Sequence, residues 1–184
     1  MAGTEPTLVQ TTAQVRSSNI RFIQSSSSSL QTLSSLPTDQ LVILFTPAIP
    51  STDGHEDPFE TLGRSLSKWH ARVRHVPFVA KVGLTDLHVA WIRKSGAIVV
   101  VNCDPALLMN SKTNTNIPSQ SKFTAQVAAV LRNNCGGSQV PLSSVCIGPS
   151  VAPPADTSGY DNVIVSRYYS KAAMEQSASM LMCQ

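Results

Sequence analysis

The chain has 184 residues, of which 14% are charged and 42% apolar, and a net charge of +3. That length suits one domain with a substantial core and falls short of two ordinary ones. Lysine and arginine are scattered, which leaves no basic footprint for nucleic acid. No apolar stretch approaches the roughly 18 residues that span a bilayer, and residues 1–10 lack a basic segment followed by an apolar one. A cytoplasmic chain without nucleic-acid or membrane partners is expected. Its four cysteines, Cys103, Cys135, Cys146 and Cys183, show no C-x-x-C spacing, so reduced and mostly buried thiols are expected rather than a disulfide frame or zinc site.

In chain order, residues 7–18 suit a polar helix, and 19–24 alternate apolar with polar as a short edge strand does. The serine run that follows buries little and competes with the backbone for hydrogen bonds, so 25–38 reads as a flexible segment within a single domain, 1–184. The apolar run 41–46 is a strand without polar alternation. Residues 47–56, with two prolines and Asp53-Gly54, form the loop leaving its carboxyl end.

A helix then begins at Asp57 as N-cap, with Pro58 in the first position and Glu60 completing a capping box. Phe59, Leu62, Leu66 and Trp69 form its buried stripe. A strand over 73–78 follows. Thr85 caps a second helix with Leu84, Val89 and Ile92 on its apolar face, and Gly96 supplies a left-handed stop. The strand 97–103, again apolar throughout, leads to a polar loop over 104–121. A helix over 122–133 carries Phe123, Val127, Val130 and Leu131. Short strands near 143–147 and 162–165 and a helix over 170–182, with Met174, Ala178 and Leu181 inward, complete the order.

Strands alternating with helices, two of them apolar on both faces, predict an α/β fold: one open, mostly parallel sheet with helices on both faces, a flavodoxin-like α/β sandwich. Such folds host many chemistries. Neither G-x-G-x-x-G nor G-x-x-x-x-G-K-[ST] follows a strand, so no cofactor is expected, and G-x-S-x-G is absent. Cys103 ends a strand where a nucleophile sits in α/β enzymes, yet Asp104-Pro105 follows it instead of a helix start, which favours a structural thiol. Asp86 and His88 are spaced like an acid/base pair, but residues two apart on a helix do not face each other. Asp53, His55, Glu56 and Asp57 suit a solvated loop and cap better than a metal site. No catalytic residue is assigned, and no metal. Lys68, His70, Arg72, Arg74 and His75 read as a solvated helix end.

Several segments resemble the carboxyl-terminal α/β domain of glycoside hydrolase family 3 proteins, in particular the fungal β-N-acetylhexosaminidase branch. They are residues 13–24, the block Asp57-Pro58-Phe59-Glu60 with Leu62-Gly63-Arg64, Arg74-His75-Val76-Pro77-Phe78, the stretch from Gly83-Leu84-Thr85 to Ala97-Ile98-Val99-Val100-Val101, and the ending Val165-Ser166-Arg167-Tyr168-Tyr169-Ser170. The resemblance implies an accessory domain that packs on a (β/α)-barrel or binds an amino sugar. In that family the nucleophilic aspartate and the Asp/His acid/base pair belong to the barrel. Asp86-Leu87-His88 mimics the spacing of that pair without its preceding motif, so the role does not transfer. Ligand contacts are expected at the carboxyl ends of the strands, in loops 47–56, 79–84 and 104–121, with Asp53, His55 and Asp86 as hydrogen-bonding groups for sugar hydroxyls. The alternatives are a small flavodoxin-like enzyme acting through Cys103 or loop 53–57, and a protein-interaction domain.

Overall fold

The computed structural model describes residues 20–49, 57–107, 117–134, 140–149, 151 and 157–183. The elements are β1 (Ile20–Gln24), α1 (Ser27–Ser34), β2 (Val42–Pro47), α2 (Glu60–Ser67), β3 (Val73–Phe78), α3 (Asp86–Ile92), β4 (Ala97–Cys103), a 3-10 turn (Pro105–Leu107), α4 (Ile117–Asn134), β5 (Leu142–Ile147), β6 (Asn162–Ser166) and α5 (Lys171–Met182). They form one six-stranded sheet in the order β1-β6-β5-β4-β2-β3. Strands β2 to β6 are parallel, and β1 joins the β6 edge antiparallel. The parallel order β3-β2-β4-β5-β6 is that of flavodoxin-like sheets.

The apolar runs divide between two cores. Val42, Leu44, Val99 and Val101 face one side with Leu62 and Leu66 of α2 and Met174, Ala178 and Leu181 of α5. Ile43, Phe45, Ile98 and Val100 face the other, with Ile92 of α3 and Phe123, Val127 and Leu131 of α4. All eight strand residues are fully buried, each contributing about 2 kcal/mol of burial. Continuous apolarity is what a strand covered on both faces requires.

Six expectations need correction. The serine run is helical: Ser26 caps α1 by accepting from the Ser29 amide at 3.3 Å, and Leu30 and Leu33 are buried. Tertiary docking overrides the weak propensity of serine, because Asn162 Nδ2 donates to Ser29 Oγ (3.0 Å) while its Oδ1 accepts from the Ser26 amide (3.1 Å). Trp69 is 50% exposed, since α2 ends at Ser67 and the helical spacing stops with it; His70 turns inward instead, its Nε2 2.8 Å from the Gln40 carbonyl. Gly96 does not take a left-handed φ, which belongs among the described glycines to Gly83 and Gly148. A Cβ at Gly96 would stand 2.8 Å from Gln40 Cβ, so close approach, not conformation, calls for glycine there. Helix α4 starts at Ile117, which moves Gln120 from the expected loop into its first turn. The expected basic helix end is dispersed: Arg72 donates to the Asp39 carbonyl, Arg74 lies 4.8 Å over the Trp91 ring, and His75 bonds Thr46.

The capping box expected at Asp57 and Glu60 does not form: α2 begins at Glu60, its N-cap Phe59 receives no side-chain cap bond, Glu60 accepts from Arg64 instead, and Asp57 Oδ1 accepts from the Phe59 amide at 2.7 Å just upstream. The helix expected over 7–18 lies outside the described residues. Among the described residues no helix is long and apolar enough to cross a membrane.

Candidate functional site

In an open α/β sheet the crevice forms beyond the strand carboxyl ends where successive connections diverge. Here β2 connects outward to β3, and β3 returns past it to β4, so the switch point lies between the ends of β2 and β4. Its described polar groups are Thr46 on β2, Asn102, Cys103 and Asp104 at the end of β4, and the first turn of α4.

These groups are bonded to one another. Gln120 Oε1 accepts from the Cys103 amide at 2.8 Å and its Nε2 donates to the Cys103 carbonyl at 3.0 Å, so one side chain continues the ladder where the strand stops. Asn102 Nδ2 donates to Ser144 Oγ (3.2 Å), and its Oδ1 accepts from Thr124 Oγ1 (3.0 Å). Asp104 is buried and caps the 3-10 turn by accepting from the Ala106 amide at 2.9 Å. The Cys103 thiol is fully buried, and burial, reinforced by the charge of Asp104, pushes its pKa up to about 12. A thiol so buried and protonated is a poor nucleophile at neutral pH. Cys146 is likewise pushed up to about 11 by burial. Thr46 Oγ1 and His75 Nε2 stand 2.6 Å apart, and with Thr46 fully buried the pair ties β3 to β2.

Asp86 and His88 are separated in the structure as helical geometry requires. Asp86 is exposed in the first turn of α3, at the rim beside β3. His88 is buried edge-on against Phe45 (centroids 5.6 Å) and Phe123 (5.2 Å). Its Nδ1 accepts from the Thr85 amide at 3.0 Å and lies 2.9 Å from the Thr85 hydroxyl. The ring proton therefore sits on Nε2, which serves the Pro77 carbonyl. Burial holds its pKa below the ordinary histidine value, the Pro77 carbonyl opposing. His88 is a neutral capping residue, and no acid/base pair forms. Asp53 and His55 lie outside the described residues, so Asp86 alone of the three expected ligand groups has a described place. Three exposed apolar side chains accompany it along the connection from β3 into α3: Val79 (52%), Val82 (66%) and Leu87 (63%).

Away from the switch point, a cleft of about 290 Å³ opens where β1 and β6 meet the segment after β5, lined by Arg21, Ile23, Val151, Val165, Arg167 and Tyr168 among others. Sequence reading passed over it because Arg21 and Arg167 come together only through the antiparallel pairing of β1 with β6. No group of three metal-capable side chains assembles among the described residues.

No family model and no curated protein matches the chain. Among solved structures, the beta-glucoside phosphorylase BglX is similar with a TM-score of 0.52 and 15% identity, over 90% of this chain and 27% of that one. BglX bound to 2FGlc gives a TM-score of 0.52 and 15% identity over 89% and 27%. CbsA from Thermotoga neapolitana has a TM-score of 0.46 and 13% identity, over 90% of this chain and 28% of its own. At such identities the likeness is one of fold, and the chain spans about a quarter of the length of these proteins.

Proposed function

We propose that the chain is an accessory α/β domain of the glycoside hydrolase family 3 type, related to the β-N-acetylhexosaminidase branch, that docks on a (β/α)-barrel catalytic domain and is not hydrolytic alone. The observation that carries the reading is the likeness to BglX, in which this fold makes up a minority of a longer sugar-processing enzyme. The exposed Val79, Val82 and Leu87 support it, since apolar side chains gathered at a ligand-side rim suit a docking surface. Consumption of the polar groups at the β4 end by internal bonds agrees with a domain that supplies no nucleophile. Asp86, with Asp53 and His55, would then bond the hydroxyls of an amino sugar held between domain and barrel.

The chain incubated with an aryl N-acetylglucosaminide is expected to give no turnover above blank; turnover abolished by His88→Ala would overturn the reading. Titration of labelled chain with N-acetylglucosamine is expected to move amides of residues 47–56, 79–84 and 104–121 most. A response confined to the opposite edge, or none at millimolar sugar, would remove the sugar contact from the proposal.

A further inference from the structure

We infer that the cleft between β1, β6 and residues Gly148, Pro149 and Val151 is a binding site for a small phosphate monoester, held by Arg21 and Arg167. This goes beyond the accessory-domain reading and does not depend on it. The pairing of β1 with β6 sets Arg21 opposite Val165. Arg167 follows β6, which ends at Ser166, and it lines the same cleft as Arg21. Both are exposed, and no carboxylate lines the cleft among the described residues. The ion pair formed by the described residues, Arg64 with Glu60, lies on α2 away from this edge. Two guanidiniums lining one cleft repel one another less when an anion lies between them, and their planar forks suit the oxygens of a phosphate.

The remainder of the lining fits the organic part of such a ligand. Ile23, Val151 and Val165 give an apolar wall, and Tyr168, 58% exposed, offers a ring face beside it. The floor is fixed. Gly148 has φ +118° and donates its amide to the Ser166 carbonyl at 2.8 Å, and a Cβ there would stand 2.7 Å from Asp104 Cβ. Ser166 Oγ donates to the Tyr168 carbonyl at 2.8 Å, holding the turn that carries Arg167. Charged residues on an edge strand also guard against strand pairing. That role alone requires no saturable anion binding, so the two are separable.

Backbone amides of the full chain are followed while phenyl phosphate, inorganic phosphate or sodium chloride of matched ionic strength is added. Saturable shifts at Gly148, Ser166 and Arg167 are expected with phenyl phosphate, weaker ones with inorganic phosphate, and none that saturate with chloride. Arg21→Ala and Arg167→Ala are each expected to weaken binding about threefold to fivefold, and the double variant about tenfold or more, as exposed ion pairs do. Arg21→Lys should fall between. Equal shifts with chloride, unchanged affinity in the double variant, or a preference for inorganic over phenyl phosphate would each overturn the assignment. Both arginines are exposed, so an unchanged far-ultraviolet spectrum verifies that the variants are folded.

Discussion

The carboxyl end of β4 and that of β6 are built from similar materials and put them to opposite use. At β4 the polar side chains Asn102, Gln120, Thr124 and Ser144 are buried and satisfy one another and the backbone of Cys103. At β6 the polar side chains Arg21 and Arg167 line an open cleft with no carboxylate among its described lining residues. The first arrangement extends the sheet beyond its last ladder bond, and the second leaves hydrogen-bonding capacity for something else. A strand's carboxyl end is thus a place where a site can be built, and the bonding state of its polar groups tells whether one has been.

The comparison rests first on the sheet interior being a core. Val100→Asp buries an unpaired charge between β2 and β5 and is expected to cost about 4 kcal/mol or more, read by denaturant unfolding. A folded variant of near-normal stability would break the architecture and everything built on it. Gln120→Ala comes next. It leaves the buried amide and carbonyl of Cys103 unpaired and is expected to cost about 2–4 kcal/mol. A loss below 1 kcal/mol by the same measurement, with a change in catalysis or binding, would turn the β4 end from structure into site.

The thiols sharpen the contrast without touching stability. With Cys135 replaced by Ser, a thiol-reactive probe at neutral pH should label the exposed Cys183 first, with Cys103 and Cys146 about a hundredfold slower. Fast labelling of Cys103 would restore it as a nucleophile. His88 adds a pH dependence whose sign is fixed. Its pKa is lowered in the folded state, so the unfolded chain binds the proton more readily, and the contribution of His88 is full above the unfolded value of 6.5 and lost as pH falls toward the folded value. Thr85, Phe45, Phe123 and Pro77 surround the ring, none of them charged. The unfolding midpoint should drop between pH 7.5 and 5.5, and the drop should shrink in His88→Leu. The smallest effect belongs to an exposed polar pair, Arg64 with Glu60 at 2.6 Å, where Arg64→Ala should cost about 0.5 kcal/mol or less. A bond of similar length thus matters or not according to what water can replace.

What the residues disclosed, and what they concealed, follows from the range of the interactions involved. Burial of β2 and β4 on both faces was legible because unbroken apolarity over a strand has one favoured explanation. The cap at Thr85 was legible because capping is local, and Ser170, read only as the start of the last helix, caps it by accepting from the Ala173 amide at 3.1 Å. Helix α1 was not, since a serine run becomes helical here through Asn162, and its partner bonds span 133 and 136 residues. Gly96 was recognised as necessary for the wrong reason, because close approach to Gln40 is a tertiary fact. The polar bracket of Gln120 was hidden by its backbone partner, and the Arg21/Arg167 cleft by an antiparallel pairing that the periodicity of either strand leaves undefined. Of the expected sugar contacts, Asp86 is exposed in the first turn of α3, while Asp53 and His55 lie outside the described residues.

The pairing of the first described strand with the last has a consequence for how the chain folds. Asn162 bonds Ser26 and Ser29 across 136 and 133 residues, and Gln24 Nε2 reaches the Thr157 and Tyr160 carbonyls across a similar span. During synthesis β1 and α1 emerge early, yet the strand they dock on appears only after β2 to β5. Leu30 and Leu33, buried in the finished molecule, stay without their partners on the last strand until β6 has been made. Closing so long a loop is slow relative to local pairing, so completion of the β1 edge is expected to be the late step of folding and the stage at which the nascent chain most needs a chaperone.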